Sequence, residues 1–436
     1  MSVRTKAIFD ISDPLLFKQQ LLSWASCCEE LVWLDSNAYP DTYRQYDAVL
    51  AVEAFTAIKT DTQNAFEKLK EYQQTTADWI FGYLSYDLKN DTEYLKSKNS
   101  DGLHFPELYF FQPQKLFLLK GNKLEVQYLR MVDDEIELDF TEINEIVIAE
   151  KGTENQQKSA NIQSRLSKEA YLEKVEAMLK HIRRGDIYEA NFCQEFYVEN
   201  IDLNPIQVFN QLNAISNPPF ASFLKLEDYY AMCTSPERYL QKIGNHVISQ
   251  PIKGTAARDS DPRIDASIAQ KLSEDDKERS ENIMIADLVR NDLSKTASRG
   301  SVKVEELCKL YSFKQVHQLI STISAEISEE IPAVEVLKTT FPMGSMTGAP
   351  KISAMKIIED LEETKRGLYS GAIGYFTPES DFDFNVVIRS ILYNAERKYA
   401  SFSVGGAITA QSNPEKEYNE CMVKAKAMRQ VLESQS

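Results

Sequence analysis

The stretch Pro251-Ile252-Lys253-Gly254-Thr255-Ala256-Ala257-Arg258 places a lysine directly before a Gly-Thr turn. Glycine lets the backbone come close to a ligand because it has no Cβ. A lysine removed from water loses proton affinity, and its amine can then attack carbon. Two interpretations stay open, a solvated cation at a strand end and a buried nucleophile. The second requires burial or a nearby cation such as Arg258 to lower the pKa of Lys253.

Composition indicates a globular chain built as one or two large units. The 436 residues are 43% hydrophobic and 26% charged, which is enough to fill a sizeable core. The net charge of -17 repels the phosphates of nucleic acids and the surface of anionic membranes. We therefore expect no nucleic acid partner, and we expect any anionic substrate to be held by local cations or a metal ion.

Cysteine usage and hydropathy predict a cytoplasmic protein. The six cysteines form no C-x-x-C pair, so reduced thiols are expected. The first residues lack an apolar signal core, and no segment approaches the roughly 18 uninterrupted apolar residues of a membrane span.

The pattern along the chain predicts two parts. Residues 1–150 combine short apolar runs with one helix near Asn64 to Gln73, and they carry no catalytic grouping. The polar stretch from Glu150 to Ser164 is typical of a linker. Residues 165–432 form the predicted catalytic domain, which opens with an amphipathic helix between Ser167 and Gly185.

Two further helices are predicted to carry carboxylates on a buried face. In the first, over Ser273 to Asn291, Glu278 and Glu281 share a stripe with apolar residues. In the second, which opens at Asn413, Glu417 and Glu420 share a stripe with Lys424. Buried carboxylates require a cation, a donor or a metal. Two such pairs facing one cleft suit Mg²⁺, and a solvated acidic face is the alternative.

Other segments indicate close backbone contact or embedded polar groups. The runs Gly344 to Lys351 and Val404 to Ala407 can expose amides to an anion, although each signal is weak alone. His317 and Arg389 interrupt apolar runs, where a hydrogen-bonded core histidine and a structural arginine are the simpler interpretations.

The ordered set of motifs resembles the chorismate-utilising enzymes over about Leu166 to Arg429. The N-terminal part is similar only through Trp33 to Ser36 and Gly82 to Asp87. The motifs are Ser235-Pro-Glu-Arg238, Pro251-Ile-Lys-Gly-Thr255, Glu278-Arg-Ser-Glu281 with Asp287 to Asp292, Gly344-Ser-Met-Thr-Gly-Ala-Pro-Lys351, and Gly371-Ala-Ile-Gly-Tyr-Phe376. The resemblance implies an anthranilate-synthase-like α/β (α+β) fold with two lobes, in which antiparallel sheets form a β-sandwich core and helices lie outside.

The resemblance also implies a reaction. Members that aminate chorismate at ring carbon 4 carry Pro-Ile-Lys-Gly-Thr, whereas anthranilate-forming members carry alanine where Lys253 lies. Members that add water are expected to carry a lysine at the position of Gln194. We therefore expect 4-amino-4-deoxychorismate, a precursor of para-aminobenzoate and folate, as the product.

The family mechanism then assigns roles. Glu237 protonates the leaving hydroxyl, Lys253 attacks ring carbon 2, and ammonia adds at carbon 4 and expels the lysine. Mg²⁺ is held by Glu281 and Glu420, with Glu278 and Glu417 acting through water. The remaining substrate contacts are assigned to His317, Thr255, Ser345, Thr347, Tyr375, Arg389, Gly405, Gly406 and Lys424.

Ammonia is expected from a separate glutamine amidotransferase subunit, because the chain shows no recognisable glutaminase nucleophile. Anthranilate formation and a non-catalytic regulatory homologue are the alternatives. A magnesium-dependent phosphoryl transferase is disfavoured because no Walker-type loop is present.

Overall fold

The computed structural model of the chain describes residues 3–148, 160–313 and 316–435. The predicted linker from Glu150 to Ser164 lies mostly outside these ranges, so the boundary between residues 150 and 165 stays a prediction. All six cysteines are free thiols. Within the described ranges, no helix combines the length and the apolar character that crossing a membrane requires.

The described chain alternates strands with helices. The strands are β1 (Arg4–Asp10), β2 (Glu30–Asp35), β3 (Ala48–Thr60), β4 (Ile80–Leu84), β5 (Leu108–Lys120), β6 (Lys123–Leu129), β7 (Gln163–Ser164), β8 (Glu189–Val198), β9 (Phe220–Leu226), β10 (Tyr229–Ser235), β11 (Arg238–Ile243), β12 (His246–Gln250), β13 (Ile252–Ala257), β14 (Lys303–Ser312), β15 (Val316–Glu326), β16 (Gly348–Ala349), β17 (Ala372–Phe376), β18 (Phe382–Val386), β19 (Ser390–Asn394) and β20 (Tyr399–Thr409). The helices are α1 (Pro14–Trp24), α2 (Ala65–Thr76), α3 (Lys89–Thr92), α4 (Ile136–Glu145), α5 (Lys168–Arg184), α6 (Pro205–Ser216), α7 (Pro262–Glu274), α8 (Asp276–Ser294), α9 (Ala333–Thr340), α10 (Lys351–Leu361) and α11 (Pro414–Glu433).

The strands form two antiparallel branches that share β5. One branch runs β1-β6-β5-β3-β2-β9-β10-β19-β20-β8. The other runs β5-β4-β17-β18-β11-β12-β15, and β15 also pairs with β13 and β14. Strand β8 lies near the far end of one branch, where it also pairs with the two-residue strands β7 and β16, while β13 lies at the far end of the other.

Two apolar cores hold these layers together. The first joins the branches, since it includes Leu224 of β9 and Phe384 of β18. The second packs helices against the outer face of the first branch, for example Val175 of α5 and Met428 of α11 with Phe402 of β20. Helices outside packed antiparallel sheets confirm the predicted α+β class.

Helix capping confirms two predicted starts and corrects a third. Ser167 caps α5, whose C-terminal Gly185 has φ +85°, and Asn413 caps α11. The predicted start of the acidic helix at Ser273 is wrong. The Asp275 carboxylate accepts the Glu278 amide at 3.0 Å, so α8 begins at Asp276 and Ser273 belongs to α7.

The N-terminal part shares both branches with the rest of the chain. Strand β2 pairs with β9, and β4 pairs with β17. The ladder between β2 and β9 extends from Glu30 to Asp35. The N-terminal strands therefore complete sheets whose other strands come from the predicted catalytic part.

Candidate active site

Lys253 lies on β13 beside a bulge that glycine makes possible. The pairing with β15 shifts register between Lys253 and Thr255, and Gly254 between them has φ +85°. A Cβ on Gly254 would lie 3.2 Å from Glu278 Oε2. Asn282 of α8 donates to the Lys253 carbonyl at 3.4 Å and to that of Leu319 at 3.0 Å, which fixes β13 and β15 to α8.

The Lys253 ammonium pairs with a carboxylate that sequence reasoning did not assign. Its Nζ lies 3.1 Å from Glu189 Oε1, with 12% and 1% of the two side chains exposed. Burial alone lowers the pKa of Lys253, but Glu189 and Glu281 outweigh burial, so the pKa is raised. The expectation of a lowered pKa is therefore wrong. Arg258 does not help, because its guanidinium binds Asp265 at 2.6 Å.

The residue of β8 that faces Lys253 is Glu189 and not Gln194. Residues five apart on a strand point to opposite faces. Gln194 is buried, and neither polar atom of its amide has a hydrogen-bond partner within the described part of the chain. Gln194 therefore points away from the face on which Glu189 meets Lys253, and its predicted role in separating amination from addition of water stays a prediction.

Glu237 supplies a second buried carboxyl group close to Lys253. It follows β10, where the Ser235 hydroxyl accepts the Glu237 amide at 3.2 Å. Burial raises the pKa of Glu237 to about 7, against the opposing charge of Lys253. A carboxyl group that stays partly protonated near neutral pH suits a general acid.

Helices α8 and α11 bring the predicted acidic pairs together, with a lysine between them. Lys277 Nζ lies 3.6 Å from Glu281 Oε1 and 3.6 Å from Glu417 Oε1. Glu281 and Glu417 are buried. The Glu420 side chain is half exposed, and its Oε1 pairs with Lys424 Nζ at 2.6 Å. Burial raises the pKa of Glu281 to about 7.

The acidic side chains are the right type of ligand for Mg²⁺, although their oxygens do not lie close enough together to coordinate one ion. Carboxylates from two helices are the hard donors that Mg²⁺ prefers, and Glu281 Oε1 is buried with no hydrogen-bond partner in the described part of the chain. Across the described ranges, no three acidic, histidine or cysteine side chains are grouped closely enough to hold a metal. Lys277 occupies the space between Glu281 and Glu417, so the ion would have to displace its ammonium group.

A cleft of 360 Å³ beside this cluster collects several polar groups. Arg389, Lys424 and Gln318 contribute to its lining. Arg389 has φ +52° and accepts the Thr234 hydroxyl at its carbonyl, while its guanidinium has no ion-pair partner among the described residues. Burial lowers the pKa of Arg389. A partly buried guanidinium that lines a cleft without an ion-pair partner among the described residues is well suited to bind a carboxylate.

Gln318 faces this cleft where the sequence analysis expected His317. The amide of Gln318 donates to the Thr255 hydroxyl at 3.3 Å, and its buried Oε1 has no partner in the described structure. His317 is 2% exposed, and its ring binds Asp265 at 2.9 Å and Ser312 at 2.8 Å. Neighbouring strand residues point to opposite faces, so only one of the two can face the cleft.

Tyr375 likewise lies away from the cleft. Its ring packs 5.5 Å from those of Trp79 and Phe81, and it lines a separate cavity of 80 Å³ next to Arg238. Tyr369, in the turn before β17, contacts β8 instead, where the Cys193 thiol donates to its hydroxyl oxygen at 3.8 Å.

The remaining residues predicted to contact the substrate differ in exposure and in their hydrogen bonds. Thr255 is exposed, Ser345 is buried and its hydroxyl lowers the pKa of Glu237, and the Thr347 hydroxyl donates to the Gly344 carbonyl. Gly405 accepts Lys424 Nζ at 2.9 Å through its carbonyl. A Cβ on Gly406 would lie 3.6 Å from Glu420 Oε1, so Gly406 packs against the acidic cluster.

Comparison with known proteins places this geometry in a family. The profile described as chorismate binding enzyme matches residues 29–430. The chain belongs to the chorismate binding enzyme family. It is 30% identical to aminodeoxychorismate synthase component 1 of Bacillus subtilis over 392 residues, which cover 87% of this chain and 80% of that protein. It is also 39% identical to aminodeoxychorismate synthase component 1 of Salmonella typhimurium over 272 residues, which cover 62% of this chain and 59% of that protein.

A solved structure shares the fold. Anthranilate synthase component I from Streptococcus pneumoniae superposes with a TM-score of 0.76 at 24% identity, and the match covers 90% of this chain and 93% of that chain.

Proposed function

We propose that the protein aminates chorismate at ring carbon 4 to give 4-amino-4-deoxychorismate, the step that leads to para-aminobenzoate and folate. The observation that carries the proposal is Lys253, whose side chain is 12% exposed, pairs with Glu189 and acts through its charge on the protonatable Glu237. The printed names of the two curated relatives agree with this activity. Lys253 separates amination at carbon 4 from anthranilate formation, because a covalent lysine needs a lysine at this position.

In the proposed reaction, the chain's own groups act in sequence. The Lys253 amine attacks ring carbon 2 while Glu237 protonates the hydroxyl that leaves carbon 4. Ammonia then attacks carbon 4, and the lysine leaves. Two such allylic displacements return the double bonds to their starting positions, so the enolpyruvyl group is retained.

Charge around the cleft supports a dianionic substrate despite the net charge of -17. Arg389 and Lys424 line the cleft and can bind carboxylates. Glu281, Glu417, Glu278 and Glu420 would hold Mg²⁺, which when bound supplies positive charge at a substrate carboxylate.

Ammonia would come from a separate glutamine amidotransferase subunit, in a cytoplasmic complex. The designation "component 1" of the relatives supports a second component.

The decisive experiment incubates the pure protein with chorismate, Mg²⁺ and an ammonium salt and identifies the products by mass spectrometry. We expect 4-amino-4-deoxychorismate without pyruvate release. Fluorescent anthranilate together with pyruvate would refute the proposal. The Lys253→Ala variant should lose amination by at least about a hundredfold while its circular dichroism spectrum stays unchanged.

A further inference from the structure

The nucleophile proposed above has a proton that must be removed. Lysine attacks carbon only as a free amine, and the carboxylates around Lys253 hold it in the charged form. The carboxylates that act on its charge are Glu189 from β8, Glu237 after β10, Glu278 and Glu281 from α8, and Glu420 from α11. A group that accepts the proton during turnover is therefore required.

Geometry selects one of these carboxylates. Within the described residues, Glu189 is the acid at ion-pair distance from Lys253, with its Oε1 3.1 Å from Nζ. This distance lies in the range of a direct N–H to O proton transfer. Glu189 is 1% exposed, so bulk water does not compete for the proton.

The second oxygen of the same carboxylate is uncommitted. Glu189 Oε2 is buried and has no hydrogen-bond partner among the described residues. Glu195, on the same strand, shows the contrast, because both of its oxygens accept bonds, from Arg165 and from Tyr399.

We propose that Glu189 is the base that takes the proton from the Lys253 ammonium group and so generates the nucleophilic amine. This inference rests on the proposed function and adds a catalytic residue to it. The contact joins the two sheet branches, since Glu189 lies on β8 and Lys253 on β13.

The proton and electron balance closes over one turnover. An ammonium proton passes from Nζ to Glu189 Oε1, and the freed lone pair forms the bond to ring carbon 2. The bond from carbon 4 to oxygen breaks, and the departing hydroxide takes the proton of Glu237 as water. After ammonia attacks carbon 4, Lys253 leaves as a neutral amine and recovers its proton from Glu189. The new carbon 4 ammonium returns a proton to Glu237.

The Glu189→Gln substitution distinguishes the two possible roles of Glu189, a base that takes a proton and a counter-ion that only holds the lysine charge. The amide is isosteric and can still accept a hydrogen bond, but it cannot take a proton at neutral pH. Loss of the negative charge must also lower the pKa of Lys253. A counter-ion role therefore predicts equal or faster amination in this variant, whereas a base role predicts slower amination.

Two measurements on the full chain test the proposal. Trace labelling with acetic anhydride across a pH series, read at Lys253 by mass spectrometry, reports the pKa of the free enzyme. Amination with chorismate, Mg²⁺ and ammonium chloride reports the rate. In the Glu189→Gln variant, we expect acetic anhydride to label Lys253 at lower pH than in wild type. We expect the same variant to aminate chorismate at least about a hundredfold more slowly. Glu189→Asp, which keeps a carboxylate, should retain more activity than Glu189→Gln.

Controls keep the outcomes distinct. Glu195→Gln removes a buried ion pair from the same strand, 3.1 Å from Arg165, and should leave the Lys253 labelling profile unchanged. If the Glu189→Gln variant aminates chorismate at the wild-type rate or faster, Glu189 is not the base. The same holds if Glu189→Gln is no slower than Glu189→Asp. Either result leaves the lysine mechanism in place. A fully active Lys253→Ala would remove the lysine mechanism, and the base role with it.

Discussion

Glu237 shows at the residue scale how burial prepares a carboxyl group for acid chemistry. It is 5% exposed, and burial raises its pKa from 4.5 to about 7. The folded protein therefore holds this proton at pH values where the unfolded chain has released it. The same shift affects both activity and stability.

The free energy of unfolding should fall as pH rises between the unfolded and the folded pKa of Glu237. Below about pH 4.5 both states hold the proton, and between there and about pH 7 only the folded state does. The free energy of unfolding therefore decreases across this window, by up to about 3 kcal/mol for a fully buried group. Glu237→Gln should lose that part of the slope in urea unfolding at pH 5 and pH 8. Glu107 and Glu281, also near pKa 7, titrate in both proteins.

The neighbours His317 and Gln318 should respond in opposite ways to substitution. Gln318→Ala removes a group that lines the cleft, so KM for chorismate should rise about tenfold with the melting temperature unchanged. His317→Ala removes a buried ring bound to Asp265 and Ser312, so the melting temperature should fall. Steady-state kinetics and thermal unfolding of both variants check this assignment. A raised KM only in His317→Ala would reverse it.

At the scale of elements, the acidic faces of helices α8 and α11 face each other, and Lys277 lies between them. Lys277 reaches both Glu281 and Glu417 at 3.6 Å, and so balances two buried carboxylates. Buried charges without a partner are costly, which explains why an ammonium group lies where a divalent ion would bind.

Removal of that ammonium group should strengthen binding of Mg²⁺. We expect Lys277→Met to bind Mg²⁺ alone about tenfold more tightly than wild type, because the ion no longer displaces a cation. Calorimetric titration of the substrate-free protein and thermal shifts in MgCl₂ against NaCl of equal ionic strength measure the effect. Lys271→Met, on the exposed face of α7, serves as the control. Weaker binding in Lys277→Met would show that the lysine orients the carboxylates.

At the scale of the whole molecule, the N-terminal strands and the later strands form common sheets. Strand β2 pairs with β9 and β4 pairs with β17. The core between the branches also combines residues of both parts, such as Phe81 and Phe384. The N-terminal strands therefore support the sheets that position Lys253.

One cooperative unfolding transition should follow from this arrangement. Separation of the two parts would expose the edges of β9 and β17 together with buried apolar surface, so the parts should not melt independently. Scanning calorimetry of the full chain should give a single peak with equal calorimetric and van't Hoff enthalpies. Two resolved peaks would indicate that the predicted boundary near residues 150 to 165 separates independent domains.

Local signals in the sequence determined the elements and their chemistry. Ser167, Asn413 and Pro414 set helix starts through capping, and the 3.6-residue period placed Glu281 and Glu417 on buried faces. The ordered motifs identified the family and the α+β fold, both of which are confirmed.

Only the tertiary structure decided which side chains meet. Glu189 and Lys253 lie 64 positions apart, and their contact depends on how two sheet branches close around a common core. The choice of Gln318 over His317 depends on strand register, which local composition does not specify. For the same reason, the stretch around Lys253 indicated a nucleophile but not its charge state, because the acids that raise its pKa come from distant elements.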